Sequence, residues 1–201
     1  RVREALAAGL EANGGHLDTG IFGTGFLFEA LCEYGLGELA YRLMDKRTYP
    51  SYGWWVEQGW TTTGEYWEGQ GSRNHPMFGG GLSWLYRQLS GFGSDESAPG
   101  YRQIVIRPRP VGGLTRASYS TRTPYGEASV EWARTAGAFE LTAEVPVGSV
   151  ARIVLPAAAD ARITECGKPL AEAIGVRTVG LGEAAAVVDV GSGTYRFAVR
   201  R

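Results

Sequence analysis

The chain has 201 residues, 44% hydrophobic and 20% charged, enough apolar material for a sizeable core in one or two domains. Its formal net charge is −1 and its Lys and Arg residues are scattered, which gives no electrostatic ground for nucleic acid or an anionic membrane as partner. No run approaches the roughly 20 apolar residues of a membrane span, so a soluble piece without a membrane partner is expected. The two cysteines, Cys32 and Cys166, offer neither metal-ligand spacing nor a disulfide framework. Both are expected to be free thiols, with Cys32 packed as a small apolar residue, and no metal or cofactor is implied. The glycine pairs at Gly91-Phe92-Gly93 and Gly191-Ser192-Gly193 lack the strand-turn-helix context of a nucleotide site.

The sequence opens on Arg1-Val2-Arg3-Glu4-Ala5-Leu6, already in helical register and without an initiator Met. That start suggests a fragment, leaving localisation and secretion unassigned. A first helix over 2–12 is stopped by Asn13-Gly14-Gly15. A second follows Thr24 as N-cap, with Leu27, Ala30, Leu31 and Tyr34 as its apolar stripe, ending at Gly35. Leu36, Leu39, Ala40, Leu43 and Met44 repeat the pattern after a short turn, so the two form an αα-hairpin. One helical turn is expected near Val56-Glu57-Gln58. The next firm helix starts at Pro76 and carries Phe78, Leu82, Leu85 and Leu89 on one face. Gly79-Gly80-Gly81 weakens it by roughly 1 kcal/mol per Gly relative to Ala, which suggests close approach of another backbone or a ligand.

Between these helices lies Gly59-Trp60-Thr61-Thr62-Thr63-Gly64-Glu65-Tyr66-Trp67-Glu68-Gly69, followed by Ser72-Arg73-Asn74-His75-Pro76. Gly, Asn and Pro interrupt any long helix, and the run mixes large aromatics with carboxylates, an Arg and a His. Carboxylates flanked by Trp and Tyr suit sugar recognition, because aromatic faces pack on the C–H faces of a pyranose while charged and amide groups bind its hydroxyls. Composition alone leaves a second reading open, a surface loop pinned by its aromatics, with Trp54, Trp55, Trp60 and Trp67 in the core.

Gly93-Ser94-Asp95-Glu96-Ser97-Ala98-Pro99-Gly100 is a polar linker across which the hydrophobic period changes from 3.6 to 2. A helical domain over 1–93 and a β domain over 100–201 are therefore expected. Phe139 to Val145 and Tyr195 to Val199 alternate strictly, as half-buried antiparallel strands do. Gln103 to Arg107, Ala117 to Arg122, Ala128 to Arg134, Val150 to Leu155 and Ala186 to Val190 supply further strands, which argues a β-sandwich. Ala157 to Ala185 has no clear period, with one or two short strands expected around Thr164 and Val176.

The series Gly15-His16-Leu17-Asp18-Thr19-Gly20, Tyr49-Pro50-Ser51-Tyr52-Gly53, Gly59-Trp60-Thr61-Thr62, Glu65-Tyr66-Trp67, Ser72-Arg73-Asn74-His75 and Trp84-Leu85-Tyr86 resembles the C-terminal part of bacterial α-L-rhamnosidases of glycoside hydrolase family 78. The resemblance runs from the first helix to the strand at Ile104-Val105-Ile106-Arg107-Pro108. It implies a multi-domain α and β fold, the C-terminal part of an (α/α)6 barrel followed by an antiparallel β-sandwich. The family's Thr-Thr-x-Trp-Glu-x-Trp motif falls on Thr61, Thr62, Glu65 and Trp67, which implies that Glu65 is the catalytic general base. His75 matches a histidine of the family's sugar subsite, and Trp67, Trp60, Trp55, Arg73 and Asn74 are the further candidates for substrate binding. Gly64 stands where the family usually has Trp, a departure expected to loosen the subsite wall. Glu68 is a rival carboxylate outside the matched motif.

The resemblance further implies an inverting glycosidase acting on rhamnose-containing glycosides or oligosaccharides. Inversion needs an acid and a base roughly 6.5–9.5 Å apart, with a water between base and sugar. The family's acid lies upstream of the matched region, so the missing N-terminal part of the same chain becomes a required partner, and the fragment alone is expected to be inactive. Two other classes stay open on the residues: a non-catalytic carbohydrate-binding or structural β-sandwich with a helical remnant, and a different (α/α)6 sugar hydrolase or lyase.

Overall fold

The computed structural model describes residues 1–200. Its chain forms two compact units, one from Arg1 to Leu85 and one from Tyr86 onward. The first is helical: α1 (Val2–Ala12), α2 (Gly23–Glu33), α3 (Gly37–Asp45), α4 (Tyr52–Glu57) and α5 (Gly79–Trp84), with a 3-10 turn over Pro76–Phe78 and a π turn over Leu85–Leu89 at the two ends of α5. Leu31, Leu39, Ala40 and Leu43 bury the α2–α3 hairpin against a core that also holds Leu10, Leu17, Phe28, Cys32 and Trp84.

Two helical faces differ from the periodic reading. In α2 the buried face is Thr24, Phe28, Leu31 and Cys32, whereas Tyr34 is exposed. Thr24 lies inside the helix rather than capping it, its hydroxyl donating to the Gly20 carbonyl at 2.8 Å. In the helix that follows Pro76 the buried positions are Phe78, Gly81 and Trp84, and Leu82 and Leu85 are exposed. That spacing of three follows from the tight 3-10 start: the segment passes through 3-10, α and π geometry, so no single 3.6 period holds along it. The glycine run allows close helix packing. A Cβ on Gly80 would sit 3.2 Å from the Gly25 Cα, so α2 and α5 approach backbone to backbone. The Trp84 indole N–H points at the Cys32 sulfur, 2.7 Å away, so the buried thiol is a polar partner as well as a packing atom.

The second unit is a sandwich of two sheets. One has five strands in the order β1 (Phe92–Ser94), β2 (Gln103–Ile106), β6 (Val150–Pro156), β10 (Ala185–Val190) and β9 (Val176–Leu181). The other has six: β3 (Arg116–Thr123), β4 (Gly126–Arg134), β5 (Ala138–Val145), β11 (Gly193–Arg200), β7 (Arg162–Glu165) and β8 (Lys168–Pro169). Pairing is antiparallel throughout except between β2 and β6, which run parallel. Strand β1 falls partly within the segment read as a linker, its Phe92–Ser94 pairing with Ile104–Ile106. Three residues are too few for an alternating pattern to show. The end of the last helical segment joins this unit too, because the fully buried Trp132 donates its indole N–H to the Leu89 carbonyl at 2.9 Å.

Inward positions such as Val130, Trp132, Leu141, Ile153 and Val188 alternate with outward ones and fill the space between the sheets. Trp132→Ala should cost about 3–5 kcal/mol of sandwich stability in urea unfolding, whereas Val147→Ala, at a side chain 83% exposed, should stay within about 0.5 kcal/mol.

Candidate active site

The loop from Trp60 to His75 would have little intrinsic order, and aromatic packing at its middle fixes it. Helix α4 is started by Ser51, whose hydroxyl accepts the Trp54 N–H at 3.0 Å, and it delivers Tyr52 and Trp55 to the core. Trp67 inserts among them, its ring centroid 4.5 Å from Trp55, 4.4 Å from Phe78 and 5.4 Å from Tyr52, edge-on to the last. Polar tips are satisfied by backbone. Trp55 donates to the Trp67 carbonyl at 2.9 Å, Trp67 to Thr19 at 2.9 Å and Tyr52 to Phe78 at 2.5 Å. Burial pushes the Tyr52 hydroxyl well above the usual phenol range, so it remains a donor at every ordinary pH.

Around that anchor the loop closes on itself. His75 N–H donates to Thr63 at 2.9 Å and Glu65 N–H to Ser72 at 2.8 Å, while the hydroxyls of Thr63 and Thr62 donate to the carbonyls of His75 and Arg73. Glu65 sits near the end of this ladder, and one of its carboxylate oxygens, Oε2, accepts the Ser72 N–H at 3.1 Å. Gly71 makes the turn at φ +71°, and a Cβ there would lie 2.5 Å from Glu65 Oε2. Only glycine combines that backbone with that proximity.

Glu65, Tyr66, Trp67 and Glu68 border a cleft of about 550 Å³, and Asn13, His16, Leu17, Asp18, Thr19, Tyr49 and Phe78 complete it. Thus the loop after α1 and the aromatic loop, far apart in sequence, face the same space. Three carboxylates stand beside aromatic faces, an arrangement able to bind hydroxyls and to move a proton. They are not equivalent. Tyr49 donates its hydroxyl to Glu68 Oε1 at 2.5 Å, which holds the Glu68 carboxyl below the usual range and the Tyr49 phenol above its own. Glu65 has instead only the Ser72 amide on one oxygen.

Of the residues singled out in the sequence, Glu65 and Trp67 border this cleft, and Trp55, Trp60, Arg73, Asn74 and His75 do not line it. Trp55 is buried beneath Trp67. Trp60 stacks on Trp55 at 5.4 Å and 12°, with the Arg73 guanidinium over it at 4.4 Å. Asn74 is exposed, its N–H on the Ser72 hydroxyl at 3.1 Å. His75 has a buried Nε2 without a partner among the described residues. A Cβ on Gly64 would lie 2.9 Å from the Trp60 ring, so Trp60 packs directly against this position. The Tyr49–Glu68 pair was not foreseen, since nothing local links residues 19 positions apart. No group of three or more His, Cys, Asp or Glu among the described residues could hold a metal ion, and no described helix is long and apolar enough to cross a membrane.

Comparison with known proteins bears on the same two halves. Residues 1–89 match the bacterial alpha-L-rhamnosidase six-hairpin glycosidase domain, and residues 93–168 match the bacterial alpha-L-rhamnosidase C-terminal domain. The chain belongs to the bacterial α-L-rhamnosidase family. An alpha-L-rhamnosidase of Streptomyces avermitilis is 34% identical over 98% of this chain and 19% of its own length. The structure of the Streptomyces avermitilis alpha-L-rhamnosidase complexed with L-rhamnose has a TM-score of 0.87 at 35% identity, covering 98% of this chain and 19% of that one. The alpha-L-rhamnosidase from Dictyoglumus thermophilum gives 0.85 at 35% identity, over 96% of this chain and 22% of that one. The native rhamnosidase of Aspergillus terreus gives 0.80 at 31%, over 98% and 21%. The chain therefore spans about a fifth of the length of the rhamnosidases it matches, and its helices correspond to part of the six-hairpin domain.

Within the cleft, the Tyr49–Glu68 bond makes a pH prediction. A carboxyl whose folded midpoint is lowered contributes stability above its unfolded midpoint, and that contribution disappears as pH falls through the folded one. Tyr49→Phe should move the Glu68 midpoint upward in a ¹³C NMR titration and leave the Asp95 midpoint, set by Ser97, where it was.

Proposed function

We propose that these residues are the C-terminal portion of an inverting α-L-rhamnosidase that releases terminal α-L-rhamnose from rhamnose-containing glycosides or oligosaccharides. Glu65 is its general base. The observation that carries this reading is the placement of the Glu65 carboxylate on the cleft, tethered through Oε2 and bordered by Asp18 and Trp67, within the stretch that matches a glycosidase domain. With one oxygen occupied by the Ser72 amide, the other takes a proton from a water positioned against the anomeric carbon. Trp67 offers an aromatic surface to the sugar. Trp55 and Trp60, with the Arg73 guanidinium over the latter, support the loop from beneath, and Asn74 and His75 are proposed to contact the sugar once the longer chain completes the subsite. The domain organisation proposed is an incomplete barrel domain over 1–93 and a sandwich domain over 100–201, with Phe92–Ser94 at their junction paired into the sandwich sheet. The general acid comes from an N-terminal part of the same longer chain, which also completes the subsite.

Acid and base each typically contribute about 10²–10⁴-fold, and a partial subsite also loses orientation of the sugar. The 201-residue chain by itself should therefore release no measurable nitrophenol from an aryl α-L-rhamnoside. Measurable release would place the acid within it.

In the longer enzyme, Glu65→Gln keeps shape and hydrogen bonding but removes the proton acceptor, so kcat should fall by about 10²-fold or more with KM little changed. Glu68→Gln should be much milder. NMR of the first-formed sugar should show inversion at the anomeric carbon. Retention of configuration, or loss of turnover with Glu68→Gln alone, would reject the assignment.

A further inference from the structure

The sandwich unit has a second cleft, of about 920 Å³, bordered by the π turn, β1, the turn after it and Tyr119, a half-buried core-packing residue of β3. Its walls are aromatic. Tyr86 and Tyr119 stack at 5.5 Å and 21°, and Phe92, itself buried, packs under Tyr119 at 5.3 Å and under Tyr101 at 5.8 Å. Four rings thus form one continuous surface, with Phe92 as the fixed base and three tyrosines partly open above it. The hydroxyls of those tyrosines have no hydrogen-bond partner among the described residues.

Tyr101 is also strained. Its backbone φ is +66°, a conformation that ring-bearing L side chains rarely adopt, and it is kept there by the buried Ser149 hydroxyl, which donates to its carbonyl at 2.8 Å. The Tyr101 ring is half-exposed, one side on the sandwich core and Phe92 and the other on the cleft. A non-glycine residue held in the left-handed region beside a cleft points from strain to function. Asp95 shapes the adjoining turn through the Ser97 N–H at 2.8 Å, leaving the exposed Glu96 and Arg107 and the half-buried Gln88 as the polar rim.

We propose that this cleft is a second carbohydrate-binding site, taking an oligosaccharide chain whose pyranose C–H faces lie on Tyr86, Tyr119 and Tyr101. Partly open rings beside amide and charged groups match a sugar's alternating apolar faces and hydroxyls. The site would keep the glycan near the enzyme through contacts that take no part in bond cleavage.

The test is affinity electrophoresis of the intact chain in native gels cast with a soluble plant polysaccharide bearing rhamnose branches, compared with gels lacking it. Wild type should be retarded. Tyr86→Ala and Tyr119→Ala should each weaken the apparent affinity about three- to ten-fold, and Val147→Ala, at an exposed position outside both clefts, should match wild type. Tyr86 is 40% exposed, so its truncation leaves the sandwich core intact and decides the matter if Tyr119→Ala misfolds. Absence of retardation in wild type, or retardation that survives both tyrosine changes, would overturn the proposal.

Discussion

The contact on which the helical unit turns is the insertion of Trp67 between Trp55 and Phe78, 4.5 and 4.4 Å from their centroids. Each large aromatic side chain removes a great deal of apolar surface from water, and the three indole and phenol tips of this cluster all end on backbone carbonyls. Those tips join segments that are otherwise independent: α4, the loop after α1, the 3-10 turn and the aromatic loop. Remove the cluster and a stretch rich in glycine, with few backbone bonds beyond its own ladder, has no reason to hold one shape.

That anchor lets a flexible sequence present a carboxylate accurately. Glu65 lies two residues before Trp67 and is tied back to Ser72 by bonds in both directions, so its backbone and one oxygen are fixed while the rest of the carboxylate remains on the cleft. Glu68, one residue beyond Trp67, has its charge committed to Tyr49. Two carboxylates three positions apart are thereby given different environments. The Trp60 ring lies over Trp55, under Arg73 and against Gly64, so it stiffens the loop from outside the cleft.

Much of the sandwich was legible because half-buried strands write their burial into a period of two; β5, with Phe139, Leu141, Ala143 and Val145 inward, needs no other signal. Most helices were located, but α4 runs over Tyr52–Glu57 from its Ser51 cap rather than as one turn near Val56-Glu57-Gln58, and two helical faces were misread. Thr24 and Gly81 are buried for reasons of hydroxyl bonding and backbone contact that no hydrophobic pattern records. Strand β1 and the β7–β8 hairpin were too short to carry a period, and the parallel β2–β6 pairing is a matter of long-range topology. Glu65 and Trp67, picked out by the spacing of the motif, both border the cleft. The sharing of roles among the other aromatics could not be read that way, since whether a Trp lines a cleft or lies beneath it depends on rings brought together from distant positions.

The central claim, that Glu65 activates water, is tested most directly by replacing both the residue and the water in the longer enzyme. In Glu65→Ala, azide is an anionic nucleophile that needs no base, so added azide should restore turnover of an aryl α-L-rhamnoside. The product should be a rhamnosyl azide of inverted anomeric configuration. No rescue by azide, or a rhamnosyl azide of retained configuration, would contradict the account.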